Sequence, residues 1–397
     1  MITAPVEAAG EPASRDGAAA AVKVFFSGTH RVRRPEHTWE IIAAQFARFG
    51  ITRVADVTGL DVLGVPVVMS VRPLATTLSV SQGKGQSIEL ARISAAMEAI
   101  ELWHAEQVRP PASACGRAAA RDLELPYRLA DVTEPGSLIG EATPLDWVDA
   151  TGLLTGARVP VPTDAVVYRR SADRPWQPAG LEWNSNGLAS GNNRDEACLH
   201  ALYEVVERDS ACGPGRDAAV PVDVRTIGET GCAALVDRIL GAGATLAVGL
   251  LPSRLDIPVF RAAVWSPEFP VTSLGWGAHG DAGVALSRAV TEAAQSRLTA
   301  IAGSRDDLPR VYEHVRTSGG RSPAEQAPGR PWSQIADGLT VGFDDVAAEL
   351  RWLCEKVARV TGSEPLAVDL STQDDFAVVK VFAPGLFLDI DVVHPRV

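Results

Sequence analysis

The chain lacks most of the features that would take it out of a reducing compartment. Its five cysteines (Cys115, Cys198, Cys212, Cys232 and Cys354) are scattered singly through 397 residues, with no Cys-x-x-Cys pair and no nearby group of histidines. That spacing excludes a zinc ribbon and a disulfide framework. No stretch approaches the roughly 20 apolar residues of a membrane span, and Met1 to Ala21 has no basic segment leading into an apolar one. A cytoplasmic protein with no membrane partner is expected. Positive charge is scarce as well: 37 Lys and Arg stand against 49 Asp and Glu, a formal net charge of −12. This argues against a nonspecific grip on nucleic acid, while leaving room for a local basic pocket. No convincing Ser/His/Asp or Cys/His set for covalent catalysis is present. Cys198 and Cys212 flank an acidic helix without a paired base, and free cysteine is usually a small buried hydrophobe.

What is abundant is material for a core, with 46% hydrophobic and 22% charged residues. Residues 1 to about 22 are rich in Ala, Gly, Pro and charge, without periodicity, and read as a disordered lead-in. Beyond them, helical spacing over Pro35–Phe49, Ser87–Glu106, Arg194–Asp209 and Ala282–Ala302 alternates with strand-like runs. The strand-like runs lie in Ile51–Val71, around Val159 and Val166-Val167, in Ala244–Trp265 and over Phe269–Trp276. Interspersed strands and helices predict an α/β, or mixed α+β, architecture. No composition break divides it, so residues 23–397 are expected to form one elaborated domain.

Three of the helices carry one pattern. Ala91-x-x-x-Ala95-x-x-Glu98-x-x-Glu101 recurs as Ala197-x-x-x-Ala201-x-x-Glu204-x-x-Glu207 and as Ala285-x-x-x-Ala289-x-x-Glu292-x-x-Gln295. Residues three and four apart share a helix face, so the alanines and carboxylates project in roughly one direction. Small alanines permit close approach to another backbone. Adjacent glutamates repel by a few tenths of a kcal/mol even when exposed, and a hard divalent cation such as magnesium would compensate. A solvated acidic face is the alternative for either helix taken alone.

Polar glycine loops precede two of these helices: Ser81-Gln82-Gly83-Lys84-Gly85, and Ser185 to Asn192. Glycine allows close backbone approach and helix N-termini offer free amides to phosphate, with Ser81 and Lys84 as further ligands. The first loop is not a Walker A motif, because the glycine five residues before Gly83 is missing. Gly275-x-Gly277-x-x-Gly280 matches a dinucleotide fingerprint, but the second strand ending in an acid is absent. His104, His200 and His314 are expected to be packing or surface histidines, and His279 sits in the glycine loop.

Taken in order, Ser81-x-Gly-Lys-Gly, Ser94-x-x-x-Glu98-x-x-Glu101, Gly187-Leu-Ala-Ser-Gly-Asn192 running on to Glu207-Arg208-Asp209, and Thr291-Glu-Ala-Ala-Gln-Ser-Arg297 resemble the YcaO family. The likeness extends from about Arg31 to Gly385. It implies a YcaO-like fold with ATP and Mg2+ as cofactors. Glu98, Glu101, Glu196, Glu204 and Glu207 fall on the family's acidic, metal-holding positions. Asn192, Arg208, Gln295 and Arg297 fall on its nucleotide contacts, with Arg31 and Thr38 fitting a basic and a hydroxyl contact. Ala189 stands where some members have serine. The catalytic set implied is Glu98, Glu101, Glu204, Glu207 and Arg208.

The resemblance further implies ATP-dependent phosphorylation of a backbone amide oxygen, followed by loss of phosphate. The substrate would be a ribosomally made peptide or protein, and the product would be a thioamide, an azoline or an amidine according to the nucleophile. There is no cysteine tetrad of a fused zinc-bearing partner domain, and the end from Asp391 to Val397 lacks an alternating-proline tail. Together with the segments Gly187–Asp209 and Thr291–Asp307, this resembles thioamide-forming members that work with a TfuA-like or separate leader-binding partner, as homodimers. A catalytically silent scaffold for a leader peptide is the contrasting expectation.

Overall fold

The computed structural model describes residues 22–26, 28–168, 180–181, 183–228, 231–304 and 329–388. The expected disordered stretch up to residue 21, His314 and residues 391–397 lie outside them. The chain opens with a hairpin, β1 (Val24–Phe26) and β2 (Thr29–Arg31), and helix α1 (Pro35–Ala43). A three-stranded antiparallel sheet of β3 (Arg53–Asp56), β4 (Val67–Val71) and β5 (Val80–Lys84) leads into α2 (Ile88–Gln107). Next come β6 (Ala112–Ala119), β7 (Pro144–Gly152), β8 (Arg158–Pro162), the short α3 (Thr163–Val166), β9 (Leu188–Gly191) and α4 (Arg194–Cys212). The last part holds β10 (Val220–Val222), α5 (Ala233–Gly241), β11 (Thr245–Leu250), β12 (Val259–Ser266), β13 (Phe269–Ala278) and α6 (Ala282–Ala302). Helices Trp332–Ala336 and Val346–Thr361 and strands β14 (Leu366–Asp369) and β15 (Ala377–Phe382) complete it.

The architecture is mixed α/β, as expected. One sheet has the order β6-β7-β14-β15-β9 with β8 on β7, and another runs β10-β11-β12-β13. Every strand pairing within these sheets is antiparallel, which disposes of a dinucleotide fold at Gly275. Val166, expected in a strand, sits in α3, because β8 ends at Pro162 just before it. No helix among the described residues is long and apolar enough to cross a membrane.

The three patterned helices all follow a strand and are capped alike. Ser87 accepts from the Leu90 N–H, Asn193 from the Glu196 N–H and Asp281 from the Val284 N–H, each satisfying an amide otherwise unpaired at a helix start. Their alanines serve close packing. A methyl group at Gly83 would collide with the main chain of Ala91 and Ala95, and one at Gly277 with that of Ala285 and Ala289. Glycine on the strand and alanine on the helix therefore set each helix tightly on its own strand. Leu202 and Val206 of α4 bury with Leu353 of helix Val346–Thr361, and Leu286 and Val290 of α6 bury against Phe260. Each such side chain contributes about 2 kcal/mol, which outweighs the few tenths by which adjacent glutamates repel.

Gly277→Ala should lower the unfolding free energy by about 3 kcal/mol, at the upper end of overpacking penalties, as read from urea unfolding. Gly241→Ala at the end of α5, with nothing within 4 Å of the added carbon, should be neutral or slightly stabilising. Equal effects at the two positions would rule out the close-packing account.

Candidate active site

Equivalent positions of the three repeats line one cavity of about 430 Å³: Ser94, Glu98 and Glu101 from α2, His200, Glu204 and Glu207 from α4, and Arg288, Glu292 and Gln295 from α6. Helical periodicity puts positions three, four and seven apart on one stripe, and close packing on the strands turns the three stripes inward. With Glu196 the wall holds six carboxylates, facing the five cations Arg31, Arg33, Lys84, Arg208 and Arg288. Leu78, Ile93, Met97 and Leu188 give it an apolar portion.

The electrostatics follow from this crowding. Glu101 accepts from the Ser190 N–H at 2.8 Å and from its Oγ at 2.5 Å. Burial, with Glu98 and Glu204 nearby, still pushes its pKa up to about 8. Burial also raises Glu204, against the pull of Arg208, Lys380 and Arg288, and burial together with Glu292 raises Glu207. Glu292 behaves differently: burial favours its proton, but Lys84, 2.6 Å away, and Arg208 hold it low. Burial would weaken the proton on Arg208, yet Glu204 at 3.9 Å, Glu207 and Glu292 strengthen it. The wall as it stands is short of positive charge.

The donor set suits magnesium with a nucleotide. Among the described residues no three His, Cys, Asp or Glu side chains are close enough to hold a metal unaided. Magnesium characteristically takes one or two carboxylates and completes its octahedron with water and phosphate oxygens. Glu98, Glu101, Glu204, Glu207 and Glu292 are the residues able to supply those carboxylates. Glu196 is not equivalent to them, although it was expected among the metal ligands. Its Oε1 accepts from the Asn192 backbone at 3.1 Å and side-chain amide at 2.9 Å, and its Oε2 from the Val32 N–H at 2.7 Å. It acts as a clamp, with Arg31 Nε 3.7 Å away. Asn192 Oδ1 accepts in turn from Thr38 Oγ1 at 2.7 Å.

Of the residues singled out from the sequence, Arg31, Thr38, Lys84, Glu98, Glu101, Asn192, Glu196, Glu204, Glu207, Arg208 and Gln295 line the cavity. Ser81 and Arg297 do not. Side chains alternate along β5, so Gln82 and Lys84 face α6, with Lys84 reaching the cavity, while Ser81 shares the other face with Gly83. Arg297, 1% exposed, is turned away from Gln295 and held by Asp61 at 3.0 Å, Ser266 Oγ at 3.0 Å and the Phe269 carbonyl at 3.3 Å. Arg288, Glu292 and His200 were missed. The third repeat contained the signal for the first two, and His200 occupies in α4 the position of Arg288 in α6. His104 packs against Phe49 and Phe376 as expected, and Cys198 is a core thiol raised by burial to about 12.

A family profile described as YcaO cyclodehydratase, ATP- and Mg2+-binding, matches residues 82–387. An uncharacterised protein of Mycobacterium tuberculosis strain H37Rv is 42% identical over 374 residues, covering 91% of this chain and 83% of that protein. A protein in the tfuA 3′ region of Rhizobium leguminosarum bv. trifolii is 35% identical over 390 residues, covering 91% and 89%. Among solved structures, YcaO from Methanopyrus kandleri bound with AMPPCP and Mg2+ aligns with a TM-score of 0.70 at 23% identity, covering 92% of this chain and 94% of that one. A heterocyclase in complex with substrate and cofactor gives 0.72 at 21%, covering 95% of this chain and 55% of that one. At these identities the structural likeness establishes the fold.

Two outcomes follow from the geometry. Arg297→Ala leaves Asp61 buried without its partner and should lower stability by about 3 kcal/mol or more, while the affinity for Mg-ATP in calorimetry stays within about twofold of the parent. Glu101, Glu204 and Glu207 hold their protons more tightly folded than unfolded. Their contribution to stability is present below the ordinary carboxylate range and is lost as pH rises through about 7 to 8. Mg2+ with nucleotide competes with those protons, so its thermal shift should grow between about pH 6 and about pH 9. A pH-independent shift would rule out the carboxylates as its ligands.

Proposed function

The chain belongs to the YcaO family, whose profile is that of ATP- and Mg2+-binding enzymes, and from that premise we propose that its cavity takes Mg-ATP and activates a backbone amide of a ribosomally made peptide or protein for exchange of oxygen by sulfur. The observation that supports this most directly is the convergence of carboxylates from three helices with Lys84, Arg208 and Arg288 in one cavity wall. Transfer of a phosphoryl group needs charge stabilisation and positioning more than it needs a nucleophilic side chain. The wall supplies that and contains no cysteine thiol: none of the five cysteines lines it.

In this reading one or two of Glu98, Glu101, Glu204, Glu207 and Glu292 would hold magnesium, which when bound neutralises charge on the transferring phosphoryl group. Arg208, Arg288 and Arg31 face the phosphates, and Lys84 keeps Glu292 ionised. Asn192, oriented by Glu196 and Thr38, offers an amide to the nucleotide, and the apolar portion at Ile93 and Met97 suits a flat base. The wall's remaining task is to keep water from the phosphoryl group until the amide arrives.

The chemistry balances as follows. Hydrosulfide adds to the amide carbon and the C–O π electrons move to oxygen. That oxygen attacks the γ-phosphorus and ADP departs. The sulfur then loses its proton as the C–O bond breaks, so phosphate leaves and C=S forms. The 35% identical relative in a tfuA 3′ region supports this branch, with a TfuA-like protein as partner. The profile's own description, cyclodehydratase, favours a second reading in which a Cys, Ser or Thr side chain of the substrate attacks and an azoline forms.

Incubation with Mg-ATP, sulfide and a candidate precursor peptide should release phosphate and raise the peptide mass by sulfur in place of oxygen. Loss of water instead would select the azoline branch, and absence of any Mg-ATP binding heat would leave only a leader-binding scaffold. Glu204→Gln and Glu292→Gln should each lower kcat about a hundredfold or more; Glu204→Gln should leave the thermal midpoint intact, since folding favours the proton on Glu204, whereas Glu292→Gln should lower it, since Lys84 loses its partner. Full activity in both would end the assignment.

A further inference from the structure

Behind the cavity wall, ionisable groups gather around Glu349 on helix Val346–Thr361. Glu349 is 1% exposed, and its two oxygens meet three separate parts of the chain. Oε2 pairs with Lys23, which is 5% exposed. Oε1 accepts from Tyr203 Oη at 2.5 Å, with His279 Nε2 3.9 Å away. Tyr203 Oη accepts from the Gly280 N–H at 2.9 Å, and its ring stacks on His279 with centroids 4.7 Å apart.

Each of these partners adjoins the active-site wall. Tyr203 immediately precedes Glu204. His279 and Gly280 lead into Asp281, which caps α6. Lys23 precedes Val24, the residue paired with Arg31 across the β1–β2 hairpin. A small cavity of about 20 Å³ touches Lys23, Tyr203, His279 and Glu349 on one side and shares Arg31 and Arg288 with the large one.

The hairpin is the element that needs this support. It pairs with no other strand among the described residues, and a lone two-stranded hairpin is marginal in water. Yet Phe26, Gly28, Thr29 and Arg31 from it line the cavity. Its outgoing end is tied where the Val32 N–H meets Glu196. Its incoming end is tied by the Lys23 N–H to the Asp344 carbonyl at 2.9 Å, by the Val22–Asp345 bridge and by the Lys23–Glu349 pair. Desolvation cancels much of what a buried ion pair gains, and packed apolar side chains would serve stability as well. What the pair adds is direction: it admits one placement of the hairpin.

We propose that Glu349 is a positioning residue for the nucleotide site, holding the β1–β2 hairpin, and with it Arg31, against the cavity through Lys23 while registering α4 and the start of α6 through Tyr203 and His279. The inference rests on the nucleotide reading above. Lys23→Met is the informative variant, because it releases the hairpin and leaves Glu349 its Tyr203 donor. Its Kd for Mg-ATP by calorimetry should rise about tenfold, and trypsin should cut faster after Arg31 and Arg33, with the far-ultraviolet circular dichroism unchanged. Glu349→Asp, which keeps the charge on a shorter arm, should fall between parent and Lys23→Met in both measurements. A lowered thermal midpoint with parental Kd and parental cleavage would reduce the pair to a structural tie and overturn the proposal. Should the parent protein bind no Mg-ATP, the nucleotide reading fails instead, and unchanged trypsin cleavage in Lys23→Met would then overturn the positioning on its own.

Discussion

The organisation of this protein depends on one constraint: carboxylates from three different helices must be kept facing each other in one largely buried wall. Left to themselves, such groups turn outward or take up protons, and burial does raise Glu101, Glu204 and Glu207. What holds them in place is on the backs of the helices. Leu202 and Val206, and Leu286 and Val290, are fully or nearly fully buried, and rotating either helix to release its glutamates would expose them. Glycine on the strands and alanine on the helices remove the last freedom, because a helix seated that closely on its strand cannot roll. Apolar packing thus stores the electrostatic tension of the site, and the folded protein holds it ready for a cation.

Cations of the chain itself relieve that tension only in part. Lys84 answers Glu292, and Arg208 is shared among Glu204, Glu207 and Glu292. Arg288 has no ion-pair partner within 4 Å among the described residues, which suits a group that waits for phosphate. The remaining carboxylates are used to build the wall. Glu196 joins Asn192 to the backbone after β2, and Glu349 joins the hairpin to α4. In a chain so rich in acid, the same residue type serves as ligand or as clamp, and the number of N–H groups already pointing at it separates the two.

That distinction explains how much could be read from the sequence. Helices α2, α4 and α6 were legible because Ala-x-x-x-Ala-x-x-Glu has the period of a helix face, and the period alone put the glutamates on one stripe. The caps Ser87, Asn193 and Asp281 stand where such residues belong. Strands β14 and β15 were not legible, since they insert between β7 and β9, and the pairing of Gly152 with Leu366 joins distant parts of the chain. The motif implies a nucleotide contact for Arg297, but it lies two residues past Gln295, about 200° around the helix, and only Gln295 lines the cavity. Glu292 shows the reverse case. The periodic pattern contains it, with Gln295 standing where the other two helices carry a second acid. His200 was expected to be a packing or surface histidine, since a lone histidine carries no periodic mark, and only the neighbouring glutamates give its place away.

The balance of charge in the wall also bears on how a ligand enters. With all six carboxylates ionised against five cations the interior is slightly negative, so a nucleotide without metal would meet either net repulsion or glutamates that keep their protons, as well as its own desolvation. A metal without nucleotide would find no three such ligands within reach among the described residues. Each lowers the barrier for the other: the metal offsets the glutamates for the phosphates, and the phosphates complete the coordination that the glutamates leave open. A wall built this way favours the metal–nucleotide complex over either component, and it does so without a preformed metal cage. The hairpin carrying Arg31 closes against the same space from a segment with little intrinsic stability, so the complex that fills the cavity also gives that segment something to pack on.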